Sequence, residues 1–222
     1  MSSTETRLTL YERLSRQTHA ARAAARVLAN KSTSAKNKAL DQMAALLLLR
    51  QEEILRANAH DVEQAASRGA KKSFIDRLTL TPARIQSMAT GIQAIMALPD
   101  PIGEIQDRWQ LSNGMIVEKR SVPLGVIAMI YEARPNVTVD AAALALKTGN
   151  AVVLRGSADA LASNIAITAA LREGLRLSEF PEDAVQLVDA VEHEAVDILV
   201  RMKESVDLII PRGGASLISS VV

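Results

Sequence analysis

Apolar positions recur at helical spacing through the first hundred residues. Leu10, Leu14, Ala21, Ala25 and Leu28 form one stripe and Leu40, Met43, Leu47 and Ile54 another, the three-and-four spacing of a buried helix face. Thr81-Pro82 reads as an N-cap followed by proline in the first turn. It opens a stripe of Ile85, Met88, Ile92 and Ile95 that Pro99 and Pro101 close. Two β-like runs follow, Ile105 to Gln110 and Met115 to Val122, separated by Leu111-Ser112-Asn113-Gly114. Asn-Gly accepts the positive φ angles of a tight turn, so a hairpin is expected.

From Leu124 the pattern changes to short, nearly continuous apolar runs: Gly125 to Ile130, Ala151 to Leu154, Ala184 to Val188 and Val206 to Ile210. Between and after them lie helical stretches over Pro135 to Lys147, Asp159 to Leu175, Glu192 to Lys203, and one opening near Gly213. Strands apolar on both faces belong inside a parallel sheet with crossover helices. The expected fold class is α/β, a doubly wound parallel sheet. Residues 1–103 would form an N-terminal helical layer, 104–122 a β-hairpin and 123–222 the alternating units. The sequence closes on Leu217 to Val222, an apolar helix with nothing after it to cover its face. It therefore reads as cut from a longer chain.

Candidate chemistry collects where the strands end. Ligands of open parallel sheets bind outside the carboxyl ends of strands, and Arg134 and Arg155 each follow such an end. Pro135 suits the first turn of a helix, and the free N–H groups near Asn136 and Val137 would face an anion. Arg212-Gly213-Gly214-Ala215-Ser216 follows the fourth strand and opens a helix. Its glycines either let a backbone approach a ligand closely or simply make a turn.

Composition narrows the field. With 26 basic and 25 acidic side chains the net charge is +1, which gives no field for nucleic acid or an anionic membrane. Aromatic residues make up 2%, too few for a platform of stacked bases. The longest apolar run, near Leu46 to Leu49, is far below the ~20 residues that span a bilayer. Met1 to Arg7 carry Glu5 and no apolar core, so no secretory signal is expected. The absence of cysteine fits a reducing cytoplasm. His19, His60 and His193 lack metal-ligand spacing, so no metal is expected. Neither G-x-G-x-x-G nor a P-loop pattern occurs.

Four ordered segments carry a resemblance: NAHDVEQA at 58–65, DRLTLTPARI at 76–85, YEARPNVTVDAAALALKTGNAVVLRG at 131–156 and VDLIIPRGGASLI at 206–218. Together they resemble the gamma-glutamyl phosphate reductase family, the proline-biosynthesis branch of the aldehyde dehydrogenase superfamily. The resemblance implies NADPH-dependent reduction of L-glutamate 5-phosphate to the 5-semialdehyde. Members are about twice this length and use a cysteine thiolate that attacks the acyl carbon, expels phosphate and leaves a thioester. This chain has no cysteine, and no base–nucleophile pair stands in for one. The resemblance therefore implies a cofactor-binding half, with the catalytic domain beyond Val222 and no activity alone. The start at Met1 without a kinase domain resembles the monofunctional form.

The resemblance also suggests roles. Arg155-Gly156-Ser157 matches a Lys-Pro-Ser segment held against the adenosine ribose. Alanine at 158, where a carboxylate would select NAD, together with the planar cation of Arg155, favours NADP. Asp159 is close enough in sequence to reach back, and a solvated arginine is the plain alternative. Arg134 would meet the phosphoryl group or the oxyanion, with Asn136 as the competing donor and Pro135 against the cofactor; alternatively, Arg134 pairs with Glu132. Arg212, Gly213, Gly214 and Ser216 match the loop beneath the nicotinamide and pyrophosphate. The hairpin implies a subunit interface and a homo-oligomer at full length. A reading of another class remains: a non-catalytic dinucleotide-binding or interaction protein that pairs with a complete subunit.

Overall fold

The structure is a computed structural model that describes residues 9–192 and 194–221, the side chains of Ser216 and Ser220 excepted. Readings that fall on Met1 to Arg7, His193 and the Ser216 side chain lie outside the described residues.

Helix α1 (Leu10–Leu28) opens with a capping box. The Thr9 hydroxyl accepts from the Glu12 N–H while the Glu12 carboxylate accepts from the Thr9 N–H, which satisfies two otherwise unpaired donors. Helices α2 (Thr33–Leu49), α3 (Gln51–Ser67) and α4 (Lys72–Leu78) follow. Helix α5 (Pro82–Ala97) begins at the expected cap, with Thr81 accepting from the Arg84 N–H. Strands β1 (Ile105–Gln110) and β2 (Ile116–Arg120) pair antiparallel around Gly114, whose φ is +85°. The second strand is shorter than the apolar run suggested: Ser121 still exchanges backbone hydrogen bonds with Gly103 and Glu104 beyond the assigned strand, and Pro123, which has no N–H to donate, follows soon after.

The parallel sheet comprises β3 (Val126–Tyr131), β4 (Ala151–Arg155), β5 (Val185–Leu187) and β6 (Leu208–Arg212) in the order β5-β4-β3-β6. The connecting helices are α6 (Asn136–Lys147), α7 (Leu161–Leu177) and α8 (Glu194–Arg201), and α9 (Ala215–Val221) follows β6. Alternate residues of β4 show that both faces are covered. Val152 and Leu154 enter the core shared with α2, α5, α6 and α7, whereas Ala151 and Val153 enter the core shared with α1 and α8. The sheet is therefore doubly wound.

Among the N-terminal helices, α1 packs Leu14, Ala21 and Ala25 into the core on the α8 face and Ala24 and Leu28 into the core that α2 and α5 cover. One expectation shifts. Strand β6 starts at Leu208, not Val206. Asp207 pins the entry, its carboxylate accepting from the Val126 N–H at 2.7 Å and pairing with Arg22 at 2.8 Å, so Val206 turns into the core.

Register places the strand ends level. Ile130 lies opposite Arg155 and Tyr131 opposite Arg212. The winding runs from β3 outward to β4 and β5, then returns to place β6 on the other side of β3. The reversal point between β3 and β6 is where open sheets leave a crevice for ligands. No helix of the described residues is long and apolar enough to cross a membrane.

Candidate functional site

A tight turn after β3 delivers Arg134 to that crevice. The Arg134 N–H donates to the Glu132 carbonyl at 2.7 Å, and the Val137 N–H donates to the Arg134 carbonyl at 3.0 Å. Pro135, with φ −58°, then leads into α6. Arg134 is exposed, and its guanidinium has no hydrogen bond or ion pair among the described residues. The alternative pairing with Glu132 is thereby corrected: the Glu132 carboxylate accepts from the Gly214 N–H at 2.6 Å instead. Glycine is what admits it, since a Cβ at Gly213 would meet Glu132 Oε1 at 2.8 Å and one at Gly214 at 3.3 Å.

Glu132, Arg134, Arg212, Gly213 and Gly214 line one cavity of about 330 Å³. A second, of about 350 Å³, lies between the α4–α5 segment and the head of α6, and includes Arg77, Arg84, Arg134, Asn136 and Asp140. Arg134 borders both. Cavities of this size suit small ligands. Asn136 donates to Asp140 Oδ2 at 3.2 Å. Burial holds the Asp140 carboxyl above the ordinary carboxylate range, opposed by that hydrogen bond and by the charge of Arg212.

A buried chain of hydrogen bonds fixes the head of α6. The Tyr131 hydroxyl lies 2.7 Å from Thr138 Oγ1, which in turn donates to Asn164 Oδ1 at 2.9 Å. Burial pushes the Tyr131 phenol upward, so it stays protonated. The chain ties β3 to α6 and α7, and hence sets where Arg134 emerges.

Arg155 behaves differently. It is buried, with Nη1 donating to the Gly156 carbonyl at 2.9 Å and Nη2 to the carbonyls of Val191 and Glu192 at 3.2 and 3.3 Å. Its Nε is buried without a partner among the described residues. Burial lowers its pKa, with the charge of Glu192 opposing. A solvated arginine is therefore not what the strand end carries, and the guanidinium lines neither cavity that Arg134 borders. Gly156 is required by packing: a Cβ there would meet Asn164 Nδ2 at 2.3 Å and the Tyr131 ring at 3.1 Å. Ser157 Oγ accepts from the Asp159 N–H and donates to the Asp159 carboxylate. Asp159 also pairs with Arg68 at 3.1 Å, so it does not reach back to Arg155.

The structure thus brings Arg134, Asn136, Arg212, Gly213 and Gly214 to adjoining hollows, and sets Arg155, Gly156 and Ser157 apart on the neighbouring strand end. Sequence reasoning overlooked Asp140 and Arg77. The spacing of Asn136 and Asp140, four residues on one helix, is the signal that would have joined that pair.

The model of the aldehyde dehydrogenase family matches residues 5–221. The gamma-glutamyl phosphate reductase of Desulforamulus reducens is 50% identical over 202 residues, covering 91% of this chain and 49% of that one. That of Heliobacterium modesticaldum is 48% identical over 213 residues, covering 96% and 51%. The crystal structure of gamma-glutamyl phosphate reductase from Thermotoga maritima matches with a TM-score of 0.93 at 44% identity, over 94% of this chain and 50% of that chain. The chain spans about half the length of the curated relatives it matches. With the sheet wound in this order and a family match running almost from end to end, the chain belongs to the aldehyde dehydrogenase family.

Proposed function

We propose that this chain is the cofactor-binding half of an NADPH-dependent gamma-glutamyl phosphate reductase. The complete enzyme would reduce L-glutamate 5-phosphate to L-glutamate 5-semialdehyde and release phosphate, a step of proline biosynthesis in the cytoplasm. The observation that carries the reading is the unpartnered Arg134 guanidinium at the reversal point between β3 and β6. It supplies fixed positive charge where the phosphoryl group leaves and the acyl oxygen gains charge, the setting in which preorganised electrostatics act most strongly. Asn136 is the second donor, in the adjoining cavity that Arg134 also borders, where it donates to Asp140.

The residues present fit a dinucleotide. Arg212 adds a second cation to the hollow, and Gly213-Gly214 leave it free of intervening side chains. When bound, NADPH would supply hydride; the chain's part would be to bind and orient it through Arg212, Gly213 and Gly214, with Pro135 and Ser216 as the further residues that the family resemblance assigns to it. Arg155, Gly156 and Ser157 would support the adenosine ribose through their backbone, since the Arg155 guanidinium is committed elsewhere. Alanine at 158 and the engagement of Asp159 by Arg68 leave no free carboxylate in the segment directly after β4 to select NAD. The cysteine nucleophile would come from sequence outside this chain. The exposed apolar side chains of the hairpin, Trp109, Met115 and Ile116, support its use as a subunit interface in a homo-oligomer.

The lack of cysteine favours one other reading, a non-catalytic binding fragment that pairs with a complete subunit. Replacing Arg134 in an enzyme completed with the relatives' second half separates the two. Arg134→Ala is expected to cut kcat far more than NADPH affinity, and equal losses in both would reject the role. A preference for NADH over NADPH in fluorescence titrations would reject the cofactor assignment.

A further inference from the structure

The cavity between α4–α5 and α6 has an unusual charge arrangement. Arg84 is a fixed wall: it donates to the Asp76 carboxylate at 3.0 Å and to the carbonyls of Thr79 and Asp76, so those two side-chain charges cancel. Three charges remain. Arg134 and Arg77 have no hydrogen bond or ion pair for their guanidinium groups among the described residues. Asp140 is half-buried, with one oxygen held by Asn136 and Oδ1 without a hydrogen bond.

A half-buried carboxylate with an open oxygen costs stability unless a cation meets it. Arg212 is near enough to act on Asp140 through space but is not bonded to it. A cavity that holds one such carboxylate and two free guanidinium groups is complementary to a ligand with one cation and two anions. An α-amino acid bearing an anionic side-chain terminus has that charge pattern, and it fits a volume of about 350 Å³.

We propose that this cavity seats the zwitterionic head of an α-amino acid, Asp140 receiving the α-ammonium and Arg77 the α-carboxylate, while Arg134 faces the side-chain terminus. The inference rests on the preceding functional reading and deepens it, since it makes α6 and α4 the elements that select an amino acid over a simple dicarboxylate. Asn136 is then a positioning residue that orients Asp140, and Arg84 holds the wall against which the head group rests. Charge-assisted hydrogen bonds are the strong ones, so discrimination should reside in these contacts and not in the apolar stem.

The test uses this chain and three probes read by NMR titration: L-glutamate, glutarate, which lacks the ammonium, and 4-aminobutyrate, which lacks the α-carboxylate. L-glutamate is expected to bind roughly tenfold more tightly than either analogue. Asp140→Asn should bring L-glutamate and glutarate to the same affinity, Arg77→Gln should do so for L-glutamate and 4-aminobutyrate, and Asp140→Glu should restore part of the first ratio. Each variant's melting curve is recorded, and the ratios are compared only on folded protein; if Asp140→Asn does not fold, Arg77→Gln and the wild-type ratios decide. Equal wild-type affinities, no saturable binding of L-glutamate, or ratios unmoved by the substitutions would overturn the inference. NADPH is titrated in parallel. Its binding without amino-acid discrimination sinks this inference alone, whereas discrimination without NADPH binding sinks the cofactor reading and leaves the inference standing.

Discussion

Two neighbouring strands, β3 and β4, reach the same edge of the sheet with an arginine at or just after their ends, yet the two arginines do opposite work. Arg155, continuing β4, folds back onto three carbonyls, and Gly156 behind it is locked by Asn164 and Tyr131. Arg134, past the end of β3, has no side-chain partner among the described residues and stands at the junction of two cavities. The difference lies in what surrounds them. The β5–α8 connection brings the carbonyls of Val191 and Glu192 to Arg155, whereas at β3 the carboxylate two residues before Arg134, that of Glu132, accepts from the Gly214 N–H. One strand end is thus built as a structural post and the other as a receptor.

The largest effect should come from the post. Arg155→Ala removes a buried side chain and its three hydrogen bonds and is expected to cost about 2–4 kcal/mol in urea unfolding, against less than about 0.5 kcal/mol for Arg134→Ala. Comparable losses would erase the contrast. Gly156→Ala should follow at about 1–3 kcal/mol, because the new methyl group collides with a side chain held in the Tyr131–Thr138–Asn164 chain. Gly214→Ala, facing only one carboxylate oxygen at 3.3 Å, should cost less. Tyr131→Phe removes one hydrogen bond of that chain and should cost about 1 kcal/mol.

The smallest effect is pH-dependent. Burial raises the Asp140 pKa in the folded chain, so between the unfolded and folded values the native state holds a proton that the unfolded chain has released. Stability from this group is complete below the unfolded pKa and lost as pH rises through the folded one. Asp140→Asn should flatten that slope, and it should melt about 1–2 °C above wild type near neutral pH with no gain in acid. A gain in acid alone would reverse the sign and contradict the burial of this carboxylate.

The contrast between the strand ends also marks how far the sequence could be read. Period and punctuation were enough for the Thr81 cap, the Asn113-Gly114 hairpin and the strands β3 and β4, because each depends on residues close together in the chain. Strand β6 slipped by two residues because Asp207 is held by Val126 and Arg22, partners remote in sequence. The fate of Arg155 was hidden for the same reason: two of its three acceptors lie 36 and 37 residues away. Asp140 was passed over as an ordinary helix residue, since its importance arises only when α4 and α5 close a wall across from it.

The central claim is that Arg134 receives the anion and Arg155 does not. Arginine side-chain NMR of this chain, titrated with acetyl phosphate as a minimal acyl phosphate, tests it in one spectrum. The Arg134 Nε–H signal should shift saturably while that of Arg155 stays in place. A moving Arg155 signal beside a silent Arg134 would contradict the account.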